Sequence, residues 1–262
     1  MLRNNVLKSA KVGLVVAVAC VLVLVISSII IFAQGKVNNP AISHTNGVTP
    51  TEKKATPTPT STALLIPKPL FFDNFVDSSK GWSLGSVSGY TRLIENGTLT
   101  LADANHTILT ESLPANTTFD DFMVTVSFTL LQANQEDSVG LYLRGDSNLD
   151  HDYRVDFYGN NTYAISKEFL DTSKVPQVKV LVNPSTASTL NAIGRQNTIT
   201  LIMKGSILVL LINDTVTSTV IDSDYTSGQI ALFVQNSDAS SGVEAAFSSV
   251  AVYPAPDQLP SG

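Results

Sequence analysis

Across residues 71–253, apolar and polar side chains alternate one by one, and a chain with that period can bury one face only as a β-strand. The clearest run ends at Leu130: Phe122, Val124, Val126, Phe128 and Leu130 fall on one side, Thr125, Ser127 and Thr129 on the other. Comparable runs span 98–101, 138–144, 153–158, 162–167, 178–182, 198–203, 207–212, 216–221, 229–234 and 243–252. Turn chemistry separates several of them, at Asn96-Gly97, Gly159-Asn160-Asn161, Lys204-Gly205-Ser206 and Asn213-Asp214. No helical period and no repeat of fixed length occurs in this region, which argues against a propeller. So many short strands joined by tight turns predict an all-β domain of two packed antiparallel sheets over residues 70–254, with a tail at 255–262.

The N-terminal third is patterned differently. Residues 12–33 carry no charge, and as a helix rising about 1.5 Å per residue they would cross a hydrocarbon layer of about 30 Å. Arg3, Lys8 and Lys11 precede this run and only Lys36 follows closely, so the positive-inside bias puts residues 1–11 in the cytoplasm and the rest outside. The expectation is a signal-anchor: a single-pass transmembrane helix in the cell membrane. A cleaved signal peptide would have a shorter apolar core, about 7–15 residues, and a smaller residue than Ile31 before its cleavage site. A lipoprotein cleaved at Cys20 would keep an apolar tail to Phe32. Residues 34–69 hold six prolines and seven threonines, which suits a disordered, partly polyproline linker. Fully extended at about 3.1 Å per residue, it would reach roughly 110 Å.

Cys20 is the only cysteine, so the β-domain has no disulfide, no thiolate nucleophile and no cysteine metal site. Residues 70–262 carry nine Lys+Arg against 21 Asp+Glu, a net charge of −12 that repels nucleic acid and anionic lipid.

Several segments resemble, in order and spacing, the concanavalin A-like jelly-roll domains of bacteria. They are Phe71-Phe72-Asp73-Asn74-Phe75, Gly81-Trp82 and Glu95-Asn96-Gly97-Thr98-Leu99, then Gly140-Leu141-Tyr142-Leu143-Arg144 with Tyr153-Arg154-Val155-Asp156-Phe157. Asn197-Thr198-Ile199, Lys204-Gly205, Ile212-Asn213, Asp224-Tyr225, Ser227-Gly228-Gln229-Ile230-Ala231-Leu232 and Ala246-Phe247-Ser248-Ser249-Val250 complete the set. By this resemblance the chain is similar to laminin-G-like and 3-keto-disaccharide-hydrolase-like modules, often displayed outside the membrane behind one helix. The resemblance covers nearly all of 71–253 and implies a two-sheet antiparallel jelly-roll sandwich with a glycan-binding concave face.

Alternation sends Val139, Leu141, Leu143, Val155 and Phe157 inward and leaves Tyr142, Arg144, Arg154, Asp156 and Tyr158 on the opposite face. Two rings beside two guanidiniums and a carboxylate can stack a sugar and bond its hydroxyls, although the same set also makes an ordinary solvated face with charge pairs. Trp82, the sole tryptophan, is a second stacking candidate or else a packing residue. Asp146, Asn148, Asp150 and Asp152 alternate oxygens as calcium loops do, which leaves calcium as the one cofactor to consider. The segment departs from the EF-hand pattern, with His151 at the turn glycine and Phe157 at the terminal glutamate. Arg144-Gly145-Asp146 spells an integrin-type tripeptide that is common by chance. Asn96, Asn105, Asn116, Asn160 and Asn213 head Asn-x-Thr triplets and read as turn asparagines.

The Glu-x-Asp-x-x-Glu segment of laminarinase-type jelly rolls is absent, and only His106 and His151 occur in the domain, too few for a multi-histidine zinc site. The expectation is a membrane-anchored extracytoplasmic binding module for carbohydrate or a cell-wall component. A glycosidase-like hydrolase and a protein-interaction or sensor domain are the alternatives. Protease added to intact cells is expected to remove residues 70–262; a C-terminal domain left untouched by such shaving would overturn the orientation.

Overall fold

The computed structural model of the protein describes residues 67–115 and 117–261. The expected cytoplasmic segment 1–11, the transmembrane helix 12–33 with Cys20, linker residues 34–66 and the triplet at Asn116 lie outside the described residues.

Among the described residues every element is a strand. In chain order they are β1 (Phe71–Asp73), β2 (Gly85–Val87), β3 (Tyr90–Glu95), β4 (Thr98–Asp103), β5 (Ile108–Ser112), β6 (Phe122–Gln132), β7 (Ser138–Gly145) and β8 (Asp152–Tyr158). The second half adds β9 (Thr162–Leu170), β10 (Pro176–Thr186), β11 (Gln196–Lys204), β12 (Ile207–Ile212), β13 (Thr215–Ile221), β14 (Gln229–Gln235) and β15 (Val243–Pro254). All pair antiparallel in two sheets. The larger runs β13-β12-β11-β6-β15-β4-β3-β2 with β1 beside β15, and the smaller runs β10-β9-β8-β7-β14-β5.

The alternation in β6 produces the layer between the sheets. Phe122, Val124, Val126, Phe128 and Leu130 are buried, facing Val139, Leu141, Leu143, Val155 and Phe157 of the smaller sheet. Phe128 sits at the centre, its ring 5.9 Å from Phe157 across the layer and 6.0 Å from Phe247 in its own sheet. The other face of β6 carries hydroxyls that pair across strands, Thr125 with Thr200 and Ser127 with Thr198, each at 3.1 Å. That face is an ordinary half-exposed sheet surface.

The predicted turns close the hairpins as their residues require. Asn96 and Gly97 (φ 52° and 74°) join β3 to β4, and Asn213 and Asp214 (φ 49° and 66°) join β12 to β13. Both central residues lie in the left-handed region, the geometry of a two-residue turn that follows the twist of its strands. The Asn213 amide also donates to Thr189 O at 2.6 Å, offsetting the strain of its backbone.

Two residues expected at a ligand surface are structural instead. Trp82 is buried between Phe71 and Phe75, with ring centroids 6.1 and 5.4 Å away, and its Nε1 donates to Asp73 Oδ2 at 2.6 Å. It latches the N-terminal segment and presents no open face for stacking.

Arg144 breaks the alternation of β7. Its φ is +51°, and the pairing with β14 shifts register between Gln229 and Ala231, so the side chain leaves the outer face. At 2% exposure its guanidinium donates to Asp120 O (2.6 and 2.9 Å), Gly205 O (2.8 Å), Tyr225 O (2.9 Å) and Asp121 Oδ1 (3.1 Å). Asp120 and Gly205 border strands of the larger sheet, so this one side chain ties the two sheets together at their end. Arg144→Met would leave those carbonyls without a donor, and a loss of about 3 kcal/mol is expected in urea unfolding. A loss below about 1 kcal/mol would show that the tie is dispensable.

Candidate functional site

The outer faces of the two sheets differ. Along β6 buried and half-buried residues alternate, whereas β7 is buried throughout and β8 nearly so. The central strands of the smaller sheet are therefore covered on the core side by the other sheet and on the outer side by their own polar and aromatic side chains. Register places these in rows. Arg154 lies between Tyr142 and Ser166, Asp156 between Gly140 and Ala164, Asp152 opposite Glu168, and Phe233 opposite Gly140.

Arg154 organises this face. Its Nε and Nη2 grip Asp156 at 2.7–3.2 Å, Nη1 donates to Glu168 Oε1 at 3.1 Å, and Nη2 also donates to Gln235 Oε1. Ser138 adds its hydroxyl to Asp156 Oδ1 at 2.8 Å. The guanidinium lies over the Phe233 ring at 4.7 Å and near Tyr142 at 5.7 Å, so aromatic faces cushion the charge from below. Burial works against that charge, but Asp156 and, more weakly, Glu168 outweigh it and hold the Arg154 pKa above its usual value. Phe233 can cross the strand because residue 140 is glycine. A Cβ there would stand 2.1 Å from Val155 O and 2.5 Å from the Phe233 ring.

Beside this hub is a cleft of about 200 Å³. Its floor is Arg154, Asp156, Ser166, Glu168 and Gln235, and its walls are Tyr158 on one side and Val178, Val180 and Pro184 of β10 on the other. Val178 and Val180 are 61% and 52% exposed, an apolar wall left open to solvent beside a polar floor. Burial, with Asp156 nearby, pushes the Tyr158 hydroxyl up to about 12, so it stays protonated and able to donate. A polar floor that fixes orientation beside apolar walls that supply area is the general form of a small-molecule site.

Of the residues expected here, Arg154, Asp156 and Tyr158 do meet at the cleft. Tyr142 lies on the same face, but at 3% exposure it is packed against Phe233, Ala231 and Leu149 and props Arg154 instead of facing solvent. Arg144 and Trp82 are elsewhere, as described. Sequence reasoning missed Glu168, Gln235, Ser166 and the β10 wall. Glu168 was one residue beyond the run 162–167, and continuing its alternation would have put it on the face of Ser166.

The loop between β7 and β8 does not gather the four oxygens suggested for calcium. Asp146 Oδ1 accepts from the amides of Asn148 (3.1 Å) and Asp150 (2.9 Å), and Oδ2 faces His151 Nδ1 at 3.0 Å. Among the described residues no three His, Cys, Asp or Glu side chains stand together as a metal ion would need.

Asp152 is the anomaly. It has no exposed surface, and neither carboxyl oxygen has a hydrogen-bond partner among the described residues. Burial first, then the negative charge of Glu168, partly opposed by Arg154 and joined by smaller contributions from Asp146 and Asp150, push its pKa to about 8. Strain of this kind concentrates at functional sites.

A larger hollow, about 720 Å³, opens near the β5 end beside Ser83, Ser112, Pro114, Thr118 and Gln229. Its single charged group, Glu111, is turned to Arg92 at 3.2 Å and to the Ser83 amide at 2.6 Å. Its one charged group is already paired and its other polar side chains are neutral, which makes this hollow the weaker candidate despite its size.

Two packed antiparallel sheets make the described residues a jelly-roll sandwich. No family model and no curated protein matches the chain. Among solved structures it is similar to the carbohydrate binding module CBM66 from Bacillus subtilis, at 15% identity and a TM-score of 0.51 over 66% of this chain and 95% of that one. It is also similar to a protein of unknown function with a galectin-like fold from Bacillus subtilis, at 14% identity and a TM-score of 0.53, covering 74% and 100% of the two chains. A glycoside hydrolase family 16 endo-glucanase from Bacteroides ovatus aligns at 11% identity and a TM-score of 0.52, covering 70% and 99%. At such identities the likeness concerns the fold.

The proton on Asp152 yields a sign-specific prediction. With its pKa raised in the folded state, stability is lost as pH rises from about 4, where the unfolded chain releases this proton, to about 8. Asp152→Asn removes that penalty. Its advantage over the parent is expected to grow across this window to an upper limit on the order of 5 kcal/mol, at about 1.4 kcal/mol per tenfold change in proton affinity. Urea unfolding at pH 4, 6 and 8 measures the gap, and a gap that stays constant with pH would refute the assignment.

Proposed function

We infer that the sandwich is a carbohydrate-recognition module that holds a sugar in the cleft beside Arg154. The observation that carries this reading is the cleft itself, in which Asp156, Glu168 and Gln235 are locked in place by one stacked guanidinium next to the open apolar wall of Val178, Val180 and Pro184. Pre-fixed acceptors cost little ordering entropy when hydroxyls arrive, and the apolar wall suits the C–H face of a pyranose. The names of two fold neighbours, a carbohydrate binding module and an endo-glucanase, support the same ligand class. Display outside the cell membrane, on helix 12–33 and linker 34–69, belongs to this proposal and is supported by the sequence pattern alone, as is a cell-wall polymer as partner.

The hydrolase alternative needs two carboxylates placed about a bond to be cleaved. On β8 the two aspartates of the outer face, Asp152 and Asp156, are separated by Arg154, and Asp156 is engaged by that arginine and by Ser138. This favours binding over turnover. The test is a glycan array with detergent-solubilised full-length protein, with and without a chelator, followed by product analysis on each bound glycan. Binding that weakens tenfold or more in Tyr158→Ala, without product, is expected. Turnover that disappears in Asp156→Ala would replace the binding reading with an enzymatic one.

A further inference from the structure

We propose that Glu168, backed by Asp152, makes one end of the cleft a subsite for a protonated amino group, so that the sugar bound there is an amino sugar with a free amine. This rests on the carbohydrate reading above and names the ligand class within it.

The first reason is that the one cation of the cleft floor is spent. Arg154 commits four of its five N–H groups to Asp156, Glu168 and Gln235, which leaves little for an anionic ligand. The second is the state of Glu168. One of its oxygens accepts from Arg154, the other has no partner among the described residues, and the side chain is 20% exposed at the cleft. It is the charged acceptor that a ligand can reach.

The third reason is Asp152. It stands directly across from Glu168 in the β8–β9 register, on the same face, with no exposed surface and both oxygens unpartnered. An unpaired carboxyl that is fully buried is costly and rare in a folded protein. The titratable and charged groups around it are Glu168 from β9, Arg154 from its own strand, Asp146 and Asp150 from the preceding loop, Tyr142 from β7 and Tyr225 from the segment before β14. Three of these are acidic, and the single arginine is tied to Asp156. A positive charge at Glu168 would relieve this imbalance through space, and nothing else on the face supplies one among the described residues.

An ammonium group matches these features. It brings three donors and a charge to the free oxygen of Glu168, whereas a hydroxyl brings one donor and no charge, and a uronate is repelled. The net charge of −12 over residues 70–262 acts in the same direction at longer range.

The test is calorimetric titration of detergent-solubilised full-length protein with three oligosaccharides of the same linkage, carrying free amines, N-acetylated amines or uronic acids. The pH is kept below the pKa of the amine. The free-amine form is expected to bind about tenfold tighter than the N-acetylated form, since a charge-assisted hydrogen bond replaces a neutral one. The uronate is expected to bind weakest. In Glu168→Gln, which keeps the shape of the side chain and its oxygen toward Arg154, the amine preference should collapse to about threefold or less. Asp152→Asn is expected to change the preference by less than Glu168→Gln does, because below about pH 8 Asp152 already carries its proton and adds no charge. If the N-acetylated or uronate form binds as well as the amine, or if the preference survives Glu168→Gln, the amine subsite is wrong while the carbohydrate reading stands. If none of the three binds, both fail.

Discussion

The apolar layer centred on Phe128, Phe157 and Phe247 holds the two sheets together without any covalent help, since the β-domain has no cysteine. Every strand that crosses this layer must keep its inward residues apolar, and period two then leaves every second residue of the same strand outside the layer. In the larger sheet the outward residues of β6 include hydroxyls paired across strands, Thr125 with Thr200 and Ser127 with Thr198. In the smaller sheet they are Tyr142, Arg154, Asp156, Glu168 and Phe233, packed closely enough to be largely buried without a third layer above them. The polar outer face is in this sense a by-product of the core: the same β-strands that bury Leu141 and Val155 raise Tyr142 and Arg154.

Within that face one guanidinium sets the positions of its neighbours. Arg154 rests on Phe233, and Phe233 rests on the bare backbone of Gly140, so a missing side chain one strand from Asp156 and two from Glu168 determines where both point. Such an arrangement is rigid before any ligand arrives, and pre-organisation lowers the entropic cost of binding. Asp152 is the exception. The fold keeps it buried and unpaired at a cost to stability, as functional sites often do.

Much of the architecture was legible. The runs at 207–212 and 216–221 coincide with β12 and β13 to within a residue, because alternation bounded by turn asparagines leaves little freedom. β1, β2, β3 and β5 were not picked out as strands: β1 and β2 have three residues each, and half-exposed β3 has too weak a contrast between its faces for the period to show. Alternation also placed Arg154, Asp156 and Tyr158 together correctly. It failed at Arg144, where a bulge and a left-handed backbone turn the side chain away, and a bulge leaves no mark in a pattern of apolar and polar letters. It failed at Glu168 by a single position. The wall of Val178 and Val180 was read as part of a strand but not as part of a site, since nothing local reveals which strand will lie at an edge.

That wall is carried by β10, which pairs only with β9 and does so through two register shifts, one between Val180 and Val182 and one between Val182 and Ser185. A strand bound on one side and interrupted in this way meets the layer between the sheets through Leu181 and Val182, while its outward residues Val178, Val180 and Pro184 can vary without disturbing that layer. The breadth of the groove is thus separable from the integrity of the domain. Changes confined to this border strand would widen or narrow the groove while the stacked arginine beneath it stays where it is.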